Sequence, residues 1–204
     1  MSTAPVELWL EFASTYSYPA AMRAERVAAE RGIEIRWRAF LLGPIFKAQG
    51  WTDSPFNLFP AKGRYMWRDL QRVCAAEGLA FTRPSVFPRN GLTAARIACR
   101  FAEEPWVGAF IRGVYQANFR DDRDIAEDAV LADCLRAAGA DPDHALAEAR
   151  TDSAKAALRA NTERAAELGI FGAPTFVVGT ELFWGNDRLE GALEHCVATP
   201  DGSS

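Results

Sequence analysis

The 204-residue sequence predicts an α/β fold in which a long helical segment separates a β-α-β unit from a β-β-α unit. Apolar and polar residues alternate over residues 6–12 and 33–40, as they do in strands. Small apolar residues from Ala20 to Ala28 follow helical spacing, and Gly32 is suited to the position just after a helix. This strand–helix–strand order predicts two parallel strands joined by a right-handed crossover.

Strand patterns return only near the C-terminus. Residues 175–178 and 181–184 have strand composition, and Gly179 and Thr180 between them predict a hairpin turn. A last helix is expected over residues 188–197, where apolar residues recur at helical spacing.

From residue 41 to 168 helical segments alternate with loops that contain prolines. The best helical segments are residues 65–76, 92–102, 107–116, 129–138 and 153–168. This element order predicts a thioredoxin-like fold with a large all-helical insertion between its β-α-β and β-β-α halves. We expect a thioredoxin-like domain of residues 5–40 plus 169–199, an inserted helical domain of residues 41–168 and a tail of residues 200–204.

Composition argues against several classes of protein. The formal net charge is −4 and no basic stripe is present, which argues against a nucleic-acid partner. No apolar run approaches the roughly 18 residues that span a bilayer, and no secretory signal is recognisable. No clustered ligand set predicts a metal site. The cysteines are far apart in helical stretches, so we expect buried free thiols and a cytoplasmic location; they are Cys74, Cys99, Cys134 and Cys196.

The turn from the first strand to the first helix contains the first candidate residue, Ser14. A group at this position faces the positive end of the helix dipole, which favours an anion. A serine does not ionise there, but its hydroxyl can donate a hydrogen bond to a thiolate on another molecule. The alternative is that Ser14 or Ser17 only caps the helix. Pro19 leaves open whether Ser17 is the effective N-cap or the helix starts near Ser14 and bends.

Three further segments carry candidate residues, each with an ordinary structural alternative. A cis Ala173–Pro174 bond would expose the Ala173 backbone for pairing; the alternative is a trans proline that opens an edge strand. Asn186 is predicted to cap the last helix, whose N-terminus could hold a carboxylate while Asp187 holds an amino group; the alternative is a simple cap. Lys62 could pair with an anionic ligand, or could be a solvated surface lysine.

Four stretches of the sequence closely resemble the 2-hydroxychromene-2-carboxylate isomerases, which are relatives of the kappa-class glutathione transferases. The stretches are residues 12–18, 60–69, 168–176 and 183–189. They lie in family order along essentially the whole chain, and the last two are specific when found together. The resemblance implies a glutathione-dependent isomerase of aromatic catabolism, which interconverts 2-hydroxychromene-2-carboxylate and trans-o-hydroxybenzylidenepyruvate or a close analogue. It also implies a homodimer.

The resemblance further implies roles for individual residues. Ser14 would activate the glutathione thiol, and the backbone at Ala173, beside Pro174, would pair with the cysteinyl part of the tripeptide. The other implied glutathione contacts are Thr52, Asp53, Lys62, Asn186 and Asp187. The aromatic residues expected to wall a flat substrate are Tyr16, Tyr65 and Trp184, with core packing as the alternative for each.

The sequence departs from the family pattern at two positions near Ser14. Thr15 replaces the proline that usually follows the serine, and Pro19 replaces a residue that is usually leucine. Two alternative functions remain open: a kappa-type glutathione transferase or peroxidase, and a non-catalytic glutathione-binding thioredoxin-like module. Dithiol–disulfide exchange is excluded because neither Ser14 nor Ser17 can form a disulfide, and no G-x-S-x-G motif supports a serine hydrolase.

Overall fold

The computed structural model describes residues 5–51 and 55–199. Its sheet has four strands in the order β2-β1-β3-β4. The strands are β1 (Val6–Leu10), β2 (Ile35–Ala39), β3 (Thr175–Val178) and β4 (Glu181–Trp184). β1 pairs parallel with β2, whereas β1 with β3 and β3 with β4 are antiparallel. The predicted parallel pairing of the first two strands and the predicted hairpin are both confirmed.

Helices account for the rest of the regular structure. Helix α1 (Ser17–Ala29) joins β1 to β2, and α10 (Leu189–Ala198) follows a short 3-10 turn after β4. Within the described residues, all regular elements between β2 and β3 are helices. They are α2 (Leu42–Ala48), α3 (Pro55–Leu58), α4 (Pro60–Ala76), α5 (Leu92–Arg100), α6 (Val107–Phe119), α7 (Asp128–Ala138), α8 (Pro142–Glu148) and α9 (Asp152–Glu167). The thioredoxin-like fold with helices between its halves is therefore confirmed.

Three helices are not predicted from the sequence and a fourth is longer than predicted, and prolines explain most of these differences. Helices α3 and α8 begin with Pro55 and Pro142, α2 has Pro44 in its first turn, and α4 begins at Pro60 rather than at residue 65. A proline in the first turn costs little because the N–H it lacks would have no partner within the helix. These prolines start helices, whereas we interpreted them as loop signals.

Strand β1 packs against other residues on both of its faces, and this packing fixes its position. Leu8 and Leu10 belong to the main core, and Trp9 belongs to a second, smaller core together with Phe40 and Ile170. The turn that leaves the end of β1 therefore starts from an immobilised strand. Among the described residues, no helix is both long and apolar enough to cross a membrane.

Candidate active site

The turn between β1 and α1 brings Ser14 to the start of β3. The Ser14 hydroxyl donates a hydrogen bond to the carbonyl oxygen of Ala173, with an oxygen–oxygen distance of 2.8 Å. The Ala173–Pro174 bond is cis, as the sequence predicted. Ser14 and Ala173 both keep partial solvent exposure, so a ligand can reach this pair of groups.

Helix α1 starts just beyond Ser14. Its first residue is Ser17, Tyr16 is its N-cap residue, and no side chain hydrogen-bonds to the cap position. The interpretation of Ser14 or Ser17 as a cap is therefore wrong. Pro19 lies in the first turn, where proline is tolerated, and the helix does not begin as early as Ser14. Its uncapped, positive end favours negative charge beside Ser14.

Helix α4 contributes a carboxylate that two tyrosines share. The Tyr16 hydroxyl donates to Asp69 Oδ2 at 2.8 Å, and the Tyr65 hydroxyl donates to Asp69 Oδ1 at 3.5 Å. The Thr15 hydroxyl contacts the Met66 sulfur at 3.2 Å, which fixes the Ser14 turn against the same helix. Burial, assisted by Asp69, raises the pKa of Tyr16, so this phenol stays a neutral donor in the physiological pH range.

Lys62 lies near the beginning of α4, at the edge of this arrangement. Its ammonium is 4.8 Å from the centroid of the Phe59 ring, and the side chain is exposed. Helical spacing places it on the same face as Tyr65 and Asp69, but no hydrogen bond or ion pair among the described residues joins it to them. Two other predicted glutathione contacts, Thr52 and Asp53, lie outside the described residues.

The Asn186–Asp187 turn lies beside the cis-proline segment. The Gly185 N–H donates to the Pro174 carbonyl at 2.9 Å, and Gly185 has a φ of +120°, which favours glycine. The prediction that Asn186 caps the last helix is wrong. Asn186 begins the 3-10 turn, and its buried Oδ1 has no hydrogen-bond partner among the described residues. Asp187 is exposed and pairs with Arg188 at 3.4 Å.

A buried cation supports this turn from α1. Arg23 Nη2 donates to the carbonyl oxygen of Asn186 at 2.6 Å, and the guanidinium also pairs with Glu190. Glu77 lies 3.8 Å from Arg23 Nε. The same helix whose positive end lies beside Ser14 therefore also holds the Asn186 carbonyl in place.

Two exposed aromatic rings flank Ala173 on the outside. Trp184 is 54% exposed and Phe171 is 47% exposed, and their ring centroids are 4.8 Å apart in an edge-to-face arrangement. A Cβ on Gly172 would come within 2.5 Å of Trp184 Nε1, so the indole needs a glycine there. Tyr65 is 63% exposed. Core packing therefore does not explain Tyr65 or Trp184, whereas Tyr16 is partly buried against the main core.

The protein's own thiols lie elsewhere. None of the four cysteines forms a disulfide, as predicted, and they lie in α4, α5, α7 and α10; three are buried and Cys99 is partly buried. Burial raises the pKa of Cys74 and Cys134 to about 11 and that of Cys99 to about 12, and it also raises the pKa of Cys196. They therefore stay protonated and weakly nucleophilic near neutrality.

Four side chains at or near this site were not among the residues predicted from the sequence. Asp69, Arg23 and Phe171 are described above, and Glu11 lies at the end of β1 beside the Ser14 turn. The spacing of Asp69 from Tyr65 on one helix face could have indicated their contact. The other three depend on tertiary contacts. No group of three or more potential metal ligands occurs in the described part of the chain.

Comparison with known proteins identifies the family. Residues 5–196 match the family model described as a DSBA-like thioredoxin domain. The chain is 30% identical to a 2-hydroxychromene-2-carboxylate isomerase of Pseudomonas putida over 90% of each chain. It is 27% identical to the rat glutathione S-transferase kappa 1, over 93% of this chain and 90% of that protein.

The solved structures agree with these sequence matches. A 2-hydroxychromene-2-carboxylate isomerase superimposes with a TM-score of 0.85 at 25% identity, over 96% of this chain and 95% of the other. The chain therefore belongs to the DSBA-like thioredoxin family and, within it, to the family of the 2-hydroxychromene-2-carboxylate isomerases.

Proposed function

We propose that this protein is a glutathione-dependent isomerase that interconverts 2-hydroxychromene-2-carboxylate and trans-o-hydroxybenzylidenepyruvate, or a close analogue. The observation that carries the proposal is the Ser14 hydroxyl, held 2.8 Å from the Ala173 carbonyl oxygen at the positive end of α1. The family membership supports the reaction type, because relatives over nearly the whole chain bear the isomerase name.

The chain itself lacks a suitable sulfur at this position, which favours a thiol from a bound ligand. Its four cysteines lie in other helices, and burial holds their pKa values above the usual range. When bound, glutathione supplies a thiolate that adds reversibly to a conjugated double bond. The Ser14 hydroxyl would donate to that sulfur, and the first turn of α1 would stabilise its negative charge.

The groups around Ser14 fit the rest of a tripeptide. The Ala173 backbone precedes β3 and can pair with an extended ligand main chain, as an added strand does. Asn186 Oδ1, which has no partner among the described residues, can accept from an amino group, and the exposed Asp187 can pair with its charge. Lys62, which is exposed near the beginning of α4, can pair with a carboxylate of the tripeptide. Thr52 and Asp53 remain predicted contacts.

Aromatic side chains would bind the flat substrate. Trp184 presents an exposed ring next to Ala173, Tyr65 presents one on α4, and Tyr16 reaches from the Ser14 turn to α4. Because the Tyr16 phenol stays protonated, it offers a hydroxyl whose lone pairs can accept a hydrogen bond while its proton is held by Asp69. These three residues would contact the flat ring of the substrate and orient it during isomerisation.

A kappa-type transferase is the second candidate, because relatives from rat and Caenorhabditis elegans bear that name. In that reaction the sulfur would attack an electrophile and leave with it, so glutathione would be consumed. The third candidate, a glutathione-binding module without catalysis, would use the same contacts. The homodimer and the cytoplasmic location expected from the sequence remain predictions.

One spectrophotometric assay separates these candidates. The ultraviolet spectrum of 2-hydroxychromene-2-carboxylate is followed with the protein, with and without substoichiometric glutathione. Conversion that requires glutathione without consuming it supports the isomerase. Glutathione consumption against chlorodinitrobenzene, without isomerisation, would instead favour the transferase. Tight binding with neither reaction would favour the binding module.

A further inference from the structure

The carboxylate of Glu11 is hydrogen-bonded to the backbone of the turn that carries Ser14. Its Oε2 accepts a hydrogen bond from the Ala13 N–H at 3.0 Å. Its backbone carbonyl accepts from the Ser14 N–H at 2.9 Å and from the Tyr115 hydroxyl at 2.9 Å. Glu11 is thus fixed by three hydrogen bonds at the end of the immobilised strand β1, within one turn of Ser14.

The surroundings of this carboxylate are unusual for a partly buried acid. Among the described residues, no Lys, Arg or His forms an ion pair with Glu11. The titratable group that faces it from another element is Tyr115 of α6, whose own pKa is raised by burial and by Glu11. Burial raises the pKa of Glu11 to about 7, although the N–H groups of Ala13 and Ser14 favour its charged form.

We propose that the carboxylate of Glu11 takes up the proton that the glutathione thiol loses at Ser14, so that thiolate formation adds less than a full negative charge to the site. The S–H bond breaks, its electron pair stays on sulfur, and the proton binds a carboxylate oxygen of Glu11, directly or through water. This inference rests on the proposed function, and it makes Glu11 the proton acceptor, a role that the sequence motifs do not assign.

Electrostatics explains why the two groups would exchange a proton. A carboxylate without a cationic partner and a thiolate at the same helix end repel each other, and partial burial weakens solvent screening. Two such groups titrate as a coupled pair, so ionisation of one raises the pKa of the other. Since burial raises the pKa of Glu11 to about 7, repulsion from a thiolate shifts this carboxyl further toward its protonated form near neutral pH.

Proton linkage tests this directly, with a readout that does not depend on turnover. Glutathione binding is measured by calorimetry near pH 7 in buffers of different ionisation enthalpy, while thiolate formation is followed by ultraviolet absorbance. The variants are Glu11→Gln, which keeps an acceptor for the Ala13 N–H, and Glu11→Asp, which keeps the acid. Glu30→Gln, at the exposed far end of α1, is the matched control.

We expect Glu11→Gln to release about one proton per glutathione bound, and the wild type and Glu30→Gln to release about half of that, because a carboxyl with a pKa of about 7 is half ionised at pH 7. Glu11→Asp keeps a carboxyl group, so its proton release should resemble that of the wild type. This variant is used if the Gln variant fails to fold. Equal proton release in the wild type and Glu11→Gln, with thiolate formed in both, would overturn the role of Glu11 but leave the proposed function intact. Absence of both binding heat and thiolate would overturn the proposed function and Glu11's role with it.

Discussion

The Ser14 hydroxyl and the Ala173 carbonyl oxygen are 2.8 Å apart, although 159 positions of sequence separate the two residues. The hydrogen bond joins the end of β1 to the start of β3, and it fixes the position of the hydroxyl oxygen. The same carbonyl is the group that would pair with the ligand backbone. A carbonyl oxygen has two lone pairs, and a hydroxyl proton can rotate, so ligand binding would free the Ser14 proton for a sulfur nearby.

Replacing Ser14 with cysteine tests whether a ligand's sulfur reaches this position. We expect Ser14→Cys to form a mixed disulfide with oxidised glutathione, because the positive end of α1 lowers the pKa of a thiol there. Mass spectrometry of the intact protein measures the adduct. The wild type is the control, since burial keeps its own four thiols protonated. If the variant stays unmodified, the ligand's sulfur does not approach residue 14.

Removing the Arg23 guanidinium should loosen the Asn186 turn. We expect Arg23→Met to weaken glutathione binding roughly tenfold and to lower the free energy of unfolding by about 1–3 kcal/mol, because charged hydrogen bonds are lost. Arg26→Met removes an exposed pair with Glu30 on the same helix and should cost less than about 1 kcal/mol. Calorimetry and urea unfolding measure both effects. Equal glutathione affinities in the two variants would contradict a role for Arg23 in binding.

The free energy of unfolding of the unliganded protein should depend on pH because Glu11 titrates. Its pKa rises from 4.5 to about 7 on folding. A raised pKa means that the contribution to stability is fully present below about pH 4.5 and is lost as the pH rises through about 7. Relative to Glu11→Gln, the wild type should therefore lose on the order of 2 kcal/mol over this interval, after allowance for its partial exposure. The free energy of unfolding is measured by urea unfolding at several pH values. If it has the same pH dependence in the two proteins, the pKa of Glu11 is not raised on folding.

Truncating Trp184 separates substrate binding from glutathione binding. We expect Trp184→Ala to raise the KM for the aromatic substrate roughly tenfold, since an exposed aromatic contact is lost. The dissociation constant of glutathione should change much less. Val197→Ala, at an equally exposed apolar residue on α10, is the control and should alter neither value. A change in glutathione affinity alone would assign Trp184 to the tripeptide instead.

The order of elements was predictable because local patterns determine it. Alternation over β1 and β2, the turn residues of the β3–β4 hairpin and the apolar stripe of α1 are all visible in the sequence. The helices that begin with Pro55 and Pro142 were not predictable, because a proline at a helix start and a proline in a loop look alike in the local sequence. Short helices also depend mainly on tertiary packing.

The site was predictable only in part, for a related reason. Ser14 and the cis bond before Pro174 follow from motifs at element boundaries. The contacts of Asp69 with Tyr16 and of Arg23 with Asn186 join segments that are far apart in the chain, so no local sequence pattern predicts them. The raised pKa of Glu11 arises from burial, which becomes known only when β1 and α6 are packed together.

Thiolate formation by bound glutathione, in the wild type and in Ser14→Ala, tests the central claim most directly. The measurement is the ultraviolet absorbance of the thiolate at saturating glutathione near neutral pH, with Ser153→Ala on the exposed face of α9 as the control. We predict that Ser14→Ala reduces the thiolate fraction roughly tenfold or more, because a hydrogen bond to a charged sulfur is lost. Equal thiolate absorbance in Ser14→Ala, Ser153→Ala and the wild type would contradict the account.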